Sequence, residues 1–246
     1  PNWAGSSWYF LRYIDPDNQE ALADQDKLKY WLPVDLYNGG MEHTTLHLLY
    51  SRFWHKFLYD SKVVPTKEPY QRRVSHGMVL GENGEKMSKS RGNVVNPDQV
   101  VESQGADTLR LYEMFMGPFD QAISWSEKGL EGCWRFLNKV WQIFENKERI
   151  GQEDKEITIK LNQLIKKVSQ DIEGMKFNTA VAACMEFVNL WSSQKSLSKK
   201  QADDFLKIIA PFVPHLAEEL WQEMGHEKSI FEESWPQYDE SSIEED

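Results

Sequence analysis

Apolar residues at helical spacing fill the second half of the chain, and this pattern restricts the fold more than any other feature. The clearest stripe consists of Leu161, Leu164, Ile165, Val168, Ile172 and Met175. Shorter stripes of the same kind lie within 134–144, 181–191, 205–212 and 216–221. Amphipathic helices bury such stripes against each other. The sequence therefore predicts an all-α helical bundle over residues 126–246.

The first half has a mixed pattern. A short strand candidate at 32–37 is followed by the breaking sequence Asn38-Gly39-Gly40 and then by helical apolar spacing over 42–59. A strand, a pair of glycines and a helix in this order are typical of the ligand-binding end of a parallel sheet. We therefore predict an α/β domain over residues 1–125.

Local signals predict further elements of the first half. Residues 74–80 form a second strand candidate, and Asn96 and Pro97 have the residue types of an N-cap and a first helical position. A further helix is predicted over 106–116. We expect residues 3–13 to form a strand end that leads into a helix, and the polar residues 15–29 to form a surface connection.

The charge of the chain limits its partners. The 246 residues carry a formal net charge of −11, of which −3 falls on residues 1–125 and −8 on residues 126–246. Because phosphate contacts dominate nucleic-acid affinity, an acidic chain binds RNA only where cations are clustered locally. The segment from Glu227 onwards has eight acidic residues and one lysine. We expect this acidic tail to be loosely packed, or to begin a further domain.

Composition also indicates the compartment. The sequence has neither a run of about 18 apolar residues nor a charged-then-apolar leader. Cys133 and Cys184 are far apart and match neither a disulfide framework nor a metal-ligand spacing. These features predict a cytoplasmic protein with no membrane partner. Because the first residue is Pro1, we expect the sequence to begin inside a longer protein or to have been processed.

A loop at 84–93 carries three cations, Lys86, Lys89 and Arg91, in an otherwise acidic chain. Glycines let a backbone bend towards a ligand, and lysine ammonium groups are point charges that suit a polyphosphate. Phosphoryl and adenylyl transfer need such charge stabilisation. The residues alone indicate an anion site, and a solvated surface loop is the alternative.

Gly39 and Gly40 precede a second polar group, Glu42, His43 and His47. A double glycine allows close approach of a ribose or an adenine, and a glutamate accepts hydrogen bonds from ribose hydroxyls. The two histidines have the spacing of some metal sites, but their order differs from the zincin motif and no third ligand is apparent. We therefore predict no protein-bound metal, and we interpret His47 as a core histidine.

Aromatic and hydroxyl side chains are interleaved in the segment Trp3-Ala4-Gly5-Ser6-Ser7-Trp8-Tyr9. This composition suits a small apolar pocket with one or two fixed polar contacts. An ordinary aromatic core is the alternative interpretation.

The string Lys86-Met87-Ser88-Lys89-Ser90, followed by Asn93, Pro97 and Gly105-Ala106-Asp107, resembles the second signature of class I aminoacyl-tRNA synthetases. Residues 39–53, with the pattern Gly-Gly-x-Glu-His-x-x-Leu-His-Leu-Leu-Tyr-x-Arg-Phe, look like the leucyl enzymes in particular. The resemblance implies an α/β fold, the second half of a Rossmann-like class I catalytic domain, followed by an α-helical domain of the anticodon-binding type.

The same resemblance assigns site residues. Lys86 and Lys89 are the expected catalytic residues, with Lys89 the more catalytic, because the family uses this loop to stabilise the adenylation transition state. ATP binding is assigned to Gly39, Gly40, Glu42, His43, Met78, Lys86, Met87, Ser88, Lys89 and Ser90. Leucine binding is assigned to Trp3, Ser6, Tyr9 and His43.

The implied function is that of a leucine–tRNA ligase, which forms leucyl-adenylate from leucine and ATP and then charges tRNA-Leu. Mg²⁺ is expected to accompany the ATP. Arg135, Lys139, Lys166 and Lys167 are candidates for contacts with the tRNA backbone, although solvated helix faces are the simpler explanation. The alternatives are an isoleucyl or valyl enzyme, a non-catalytic tRNA-binding paralogue, and a helical interaction module that explains residues 126–246 alone.

Parts of the family pattern are missing from the chain. Its six histidines do not form the His-x-Gly-His signature, and neither an editing domain nor an insertion before the loop is seen. We therefore expect the missing N-terminal half of the synthetase to be a partner. The isolated chain is expected to be inactive in adenylation.

Overall fold

The structure is a computed structural model that describes residues 3–193 and 195–243. Contacts between residues divide the chain into two compact units, Pro1–Met78 and Val79–Asp246. The two units are described separately below. Because this division reflects packing, the domain boundary predicted at residue 125 stays a prediction.

A parallel pair of strands forms the frame of the first unit. Strand β1, Val34–Gly40, pairs with β2, Tyr70–His76, so that Gly40 lies opposite His76. Helix α3, His47–Asp60, lies between the strands in sequence and supplies the crossover that parallel strands need. The carboxyl ends of both strands therefore lie at one edge, where several predicted site residues fall.

The double glycine ends β1 rather than interrupting it. The strand continues through both glycines, and a 3₁₀ turn over Met41–Thr45 precedes α3. The strand predicted at 32–37 therefore began two residues too early and ended three residues too soon, and the helix begins five residues later than the predicted start at 42. Hydrogen bonding to β2 extends the strand, and local propensity does not reveal such a tertiary contact.

Two short helices, α1 (Tyr9–Arg12) and α2 (Gln25–Trp31), precede β1. The strand end predicted within 3–13 is wrong, because Gly5–Ser7 is a 3₁₀ turn that leads into α1. The hydrophobic core of this unit contains Phe10, Leu11, Ala23, Leu28, Leu32 and Val64.

Residues 15–29 lie mostly at the surface, as predicted, but Asp15, Ala23 and Leu28 are buried and anchor the segment. Asp24 caps α2 by accepting hydrogen bonds from two amides of its first turn. Asp15 is buried and accepts hydrogen bonds from Lys27, Asn18 and the Asp24 amide. These bonds, led by that from Lys27, lower the pKa of Asp15 to about 2. The acidic residues thus order the segment, because a buried carboxylate needs such partners.

The second unit opens with a shorter parallel pair, in which β3 (Val79–Leu80) pairs with β4 (Ile123–Ser124). The single strand predicted at 74–80 is therefore two strands, β2 and β3, which belong to different units. Strand β4 was not predicted, because two residues show no alternation that a sequence pattern can reveal.

The predicted helices of the second unit are confirmed, with small shifts at their ends. Asn96 caps α4 (Pro97–Gln104), and α5 is Ala106–Phe115. The bundle helices are α6 (Glu127–Glu145), α7 (Lys155–Glu173), α8 (Phe177–Ser192), α9 (Lys199–Ile209) and α10 (Pro214–Glu223). Their apolar stripes share one hydrophobic core, as the spacing predicted.

The acidic tail packs onto the helical unit as far as the structure describes it. Ile230 is buried, Trp235 donates a hydrogen bond to Ser169 at 2.8 Å, and the amide of Asp239 donates to Asn162 at 2.8 Å. The expectation of a loosely packed end is therefore wrong for residues 227–243. Apolar residues between the acidic ones provide the anchors. Residues 244–246 lie outside the described part of the chain.

Cys133 and Cys184 are free and buried, and burial raises the pKa of each thiol to about 12. Neither side chain is therefore a reactive thiolate at neutral pH. Within the described part of the chain, no helix combines the length and the apolar content that crossing a membrane requires.

Asp107, a residue of the signature pattern, joins α5 to α10. Its carboxylate is buried and accepts hydrogen bonds from the Leu216 amide at 2.7 Å and from His215 Nδ1 at 2.8 Å. The first-turn amides of a helix have no partner within the helix itself. Asp107 therefore caps α10 from a neighbouring helix.

Replacement of Asp107 with asparagine is expected to lower the free energy of unfolding of the second unit by about 1–3 kcal/mol, because one buried donor loses its acceptor. Urea denaturation followed by circular dichroism measures this change. The control is Asp98→Asn, an exposed residue in the first turn of α4, which should change stability by less than about 0.5 kcal/mol. Equal losses in the two variants would contradict the cap.

Candidate functional site

One cavity of the first unit is lined by the residues predicted to bind leucine. Its volume is about 370 Å³, and Gly40 and His76 line it at the carboxyl ends of β1 and β2. All four predicted leucine-binding residues line this cavity: Trp3, Ser6, Tyr9 and His43. Gly39 and Gly40, which were predicted to bind ATP, line it as well. The volume lies at the small end of the range for ligand sites.

Two other predicted ATP-binding residues of the first unit are not among the cavity residues. Glu42 is exposed, and its carboxylate folds over the backbone of Gly40, where a Cβ atom would overlap with it. Met78 is exposed at the end of the unit. Their assignment to ATP stays a prediction.

Two serines shape the Trp3 side of the cavity. The hydroxyls of Ser6 and Ser7 donate to the carbonyl of Trp3 at 3.2 and 2.5 Å. The Trp3 ring lies 5.9 Å from the ring of Tyr50 of α3. The hydroxyl groups therefore hold the turn that presents Trp3, and their donors are already used within the protein.

A chain of hydrogen bonds forms another part of the cavity wall. Tyr9 Oη lies 2.7 Å from Tyr37 Oη, which lies 2.6 Å from His47 Nε2. The Tyr37 ring stacks on Tyr70 with centroids 4.0 Å apart. Burial raises the pKa of Tyr37 and lowers the pKa of His47. Both side chains are therefore uncharged at neutral pH.

Among the described residues that line the cavity, Arg73 alone has a permanent charge. Its Nη2 donates to the carbonyl of Gly40 at 3.0 Å and, at 3.4 Å, to that of Gly39. These bonds connect β2 to the end of β1. Arg73 therefore fixes the strand ends and also gives the cavity a positive charge.

Half of the cavity lining was missed by the sequence reasoning: Tyr37, Asn38, His47, Leu48, Arg73 and His76. A prediction that ended the second strand at His76 instead of Leu80 would have placed Arg73 and His76 near the carboxyl end of that strand, where the cavity lies. The interpretation of His47 as a core histidine was wrong, because the half-buried ring lines the cavity. Within the described residues, no three histidine, cysteine or acidic side chains are arranged to hold a metal ion.

The signature loop belongs to the second unit, and a turn closes each of its ends. The Gly81 amide donates to the Glu85 carbonyl at 2.8 Å, and Gly84 between them has φ 73°. After the loop, a 3₁₀ turn over Lys89–Arg91 ends at Gly92, with φ 65°. Left-handed backbone favours glycine. These glycines are therefore required by the turns themselves.

Two side chains anchor the middle of the loop. Asn93 Oδ1 accepts from the Ser88 amide at 2.9 Å, and its Nδ2 donates to the Lys86 carbonyl at 3.4 Å. Met87 packs against the hydrophobic core of the second unit. The loop backbone is thereby held in place from Lys86 to Ser88, while both of its lysine side chains remain exposed.

The cations of the loop differ in their pairing. Arg91 forms an ion pair with Glu85 at 2.8 Å. Across residues 3–193 and 195–243, Lys86 and Lys89 have no acidic partner at ion-pair distance. Two uncompensated ammonium groups on a fixed backbone suit a polyphosphate. The predicted ATP-binding residues are thus divided between the two units, with 39–78 in the first and 86–90 in the second.

Two family models match the chain. Residues 15–126 match "tRNA synthetases class I (I, L, M and V)", and residues 154–246 match "Anticodon-binding domain of tRNA ligase". The chain belongs to the class I aminoacyl-tRNA synthetases and contains part of the catalytic domain together with the anticodon-binding domain.

Several solved structures are similar to the chain. The LeuRS of Agrobacterium radiobacter K84 (agnB2), in a ternary complex with tRNA and LeuAMS, is 35% identical with a TM-score of 0.88. The match covers 97% of this chain but 34% of that chain, so the chain spans about a third of that relative's length.

Two Mycobacterium tuberculosis methionyl-tRNA synthetase structures with methionyl-adenylate share the fold at 18% and 19% identity. Their TM-scores are 0.64 and 0.61. The matches cover 89% and 85% of this chain, and 48% and 46% of the two methionyl-tRNA synthetase chains.

Replacement of Asn93 with alanine is expected to release the centre of the loop. The Ser88 amide should exchange with solvent about five to ten times faster, because it loses a hydrogen bond worth about 1 kcal/mol. Hydrogen-exchange NMR measures this rate. Asn83→Ala is the matched control, since Asn83 accepts from the Glu85 amide instead. An unchanged Ser88 rate in the Asn93 variant would show that the loop is held by other contacts.

Proposed function

We propose that the chain is part of a leucine–tRNA ligase, which forms leucyl-adenylate and then charges tRNA-Leu. The observation that carries the proposal is that His43 lines the same cavity as Trp3, Ser6 and Tyr9, which belong to a separate segment of the sequence. An aromatic wall with few polar groups suits an aliphatic side chain. The free cysteines suit a cytoplasmic setting.

The proposed chemistry begins with the leucine carboxylate. Its oxygen attacks the α-phosphorus of ATP, the bond to pyrophosphate breaks, and leucyl-adenylate forms. Lys86 and Lys89 stabilise the charge that develops on the phosphate oxygens, and Lys89 has the larger effect. Met87, Ser88 and Ser90 hold the loop against the nucleotide.

Mg²⁺ is proposed to enter with ATP, bound by its phosphate oxygens. Among the described residues, no group of three acidic, histidine or cysteine side chains stands ready to hold the ion. We therefore assign no catalytic step to a metal site built by this chain.

Leucine is favoured as the substrate by the 35% identity with a leucyl enzyme over 97% of the chain. The likeness to the methionyl enzymes concerns the fold alone. An isoleucyl or valyl enzyme is the alternative. The amino acid that drives ATP–pyrophosphate exchange distinguishes these possibilities.

The first unit has surfaces that suit a further part of the catalytic domain. Within the described residues, β1 pairs only with β2, whereas parallel sheets are usually larger and covered on both faces. Leu49, Phe53 and Phe57 form an exposed apolar row along α3. We propose that the N-terminal half of the catalytic domain adds to β1 and covers this row.

The isolated chain is expected to show no leucine-dependent ATP–pyrophosphate exchange, because part of the ATP site is supplied by the proposed N-terminal half. Exchange should appear when the chain is produced together with a segment that carries His-x-Gly-His. Clear exchange by the chain alone would contradict this division of the site.

The helical domain is proposed to contact tRNA. Among the predicted contacts, Lys166 pairs with Glu240, Lys167 pairs with Asp171, and Lys139 donates to Asn189. Arg135 is exposed and, among the described residues, has no ion-pair or hydrogen-bond partner. Its guanidinium is therefore the best placed of the four to meet an RNA phosphate.

Lys89→Ala in the complete enzyme is expected to lower kcat for exchange by about 10²–10³, a typical loss for removal of one electrostatic donor. Affinity for tRNA should be retained, as measured by filter binding. Lys67→Ala, which changes an exposed lysine of the first unit, is the control. Unchanged adenylation in the Lys89 variant would refute the catalytic role and favour the non-catalytic paralogue.

A further inference from the structure

An ion pair joins the two ends of the signature at residues 86–90. Glu85 directly precedes this segment, and Arg91 directly follows it. Arg91 Nη1 donates to Glu85 Oε2 at 2.8 Å, although the two residues are six positions apart in sequence. The five residues that include both predicted catalytic lysines therefore lie between two side chains of opposite charge that bind each other.

The backbone on the Glu85 side of this pair is anchored. The Glu85 carbonyl accepts a hydrogen bond from the Gly81 amide at 2.8 Å, and the Glu85 amide donates to Asn83 Oδ1 at 3.2 Å. Leu80 and Lys86 form an antiparallel bridge, which connects this end of the loop to β3. The Glu85 carboxylate therefore extends from a backbone that is already fixed to the second unit.

The Arg91 side is a short turn that contains Lys89. This 3₁₀ turn covers Lys89–Arg91, and the Arg91 amide donates to the Ser88 carbonyl at 3.0 Å. A 3₁₀ turn has poorer hydrogen-bond geometry than an α-helix. The Arg91 guanidinium adds a bond from this turn to the anchored end of the loop. The ion pair thus limits the positions that the backbone of Lys89 can take.

The pair also gives the three cations of the loop different roles. Glu85 compensates the charge of Arg91, whereas Lys86 and Lys89 have no acidic partner at ion-pair distance in the described part of the chain. A polyphosphate could bind Arg91 only after separating it from Glu85. The geometry therefore favours a role for Arg91 within the loop and leaves the two ammonium groups for the ligand.

We propose that Glu85 and Arg91 are positioning residues for adenylation, whose ion pair holds the turn that carries Lys89. This inference rests on the proposed function, since it assumes that Lys89 stabilises charge in the transition state. Preorganised charge lowers a barrier because it needs no ordering at the moment of reaction. Loss of the pair is therefore expected to lower kcat and to leave KM for ATP nearly unchanged.

The test measures leucine-dependent ATP–pyrophosphate exchange by the complete synthetase. Glu85→Gln and Arg91→Gln are each expected to lower kcat about two- to fivefold, which is the range that an exposed ion pair supports. The double variant should lose no more than either single variant, because each removes the same interaction. Arg91→Lys should retain most of the wild-type kcat, since an ammonium group can also make the single contact with Glu85.

A control variant and a salt series separate positioning from a general effect on the fold. Glu82→Gln removes the same charge from an exposed residue of the preceding turn and should leave kcat unchanged. The ratio of kcat for the wild type to that for Glu85→Gln should fall towards one as KCl rises from about 0.05 to 1 M, because salt screens an exposed pair. A loss caused by altered packing would not depend on salt in this way.

The effect of the pair on the turn can also be measured without catalysis. The Gly92 amide donates to the Lys89 carbonyl at 3.3 Å. In Glu85→Gln this amide is expected to exchange with solvent about two- to fivefold faster, because the turn loses its link to the anchored end. Hydrogen-exchange NMR of this chain measures the rate, again with Glu82→Gln as the control.

Each contrary result counts against a defined statement. Absence of leucine-dependent exchange in the wild-type synthetase overturns the proposed function, whereas the Gly92 rates report on the ion pair independently. Unchanged kcat in both single variants overturns the inference alone, and so do additive losses in the double variant. A lower KM for ATP in Glu85→Gln that disappears when Arg91 is also replaced would overturn it as well, because Arg91 would then be a phosphate ligand.

Discussion

The parallel pairing of β1 with β2 is the constraint on which the cavity depends. The register places Gly39 and Gly40 beside Ser75 and His76, and the Arg73 guanidinium ties the two strands together at this end. A slip of one residue between the strands would move Gly39 and Gly40 out of register with Ser75 and His76 and would disturb the cavity at this edge.

The signature loop obeys a different principle. Its backbone is held by a carboxamide, a half-buried methionine and two left-handed glycines, whereas its lysine side chains are exposed and unpaired among the described residues. Fixed backbone beneath uncompensated charge lets cations meet an anion without first breaking an ion pair. Such preorganised cations can stabilise charge that develops during a reaction without a further rearrangement of the loop.

The sequence predicted what depends on periodicity and short motifs. Helices with long apolar stripes, such as α7, were found because their burial pattern repeats over several turns. The shared site of Trp3, Ser6, Tyr9 and His43 was predicted from the family resemblance. The sequence did not predict strand β4, the packed tail or the partnership of Tyr37 with His47, because each depends on a tertiary contact. A strand of two residues, or a single histidine on a helix, has no local sequence pattern that predicts such a partner.

The cap that Asp107 places on α10 shows that residues of the signature motif have two different roles. The lysines of the pattern face outward and are free to meet a ligand, but the aspartate a few turns later is buried and holds two helices together. A variant that lost the lysines but kept the fold would still need that aspartate. The two parts of the motif therefore have different roles: the buried aspartate supports the fold, and the exposed lysines are the part proposed to bind a ligand.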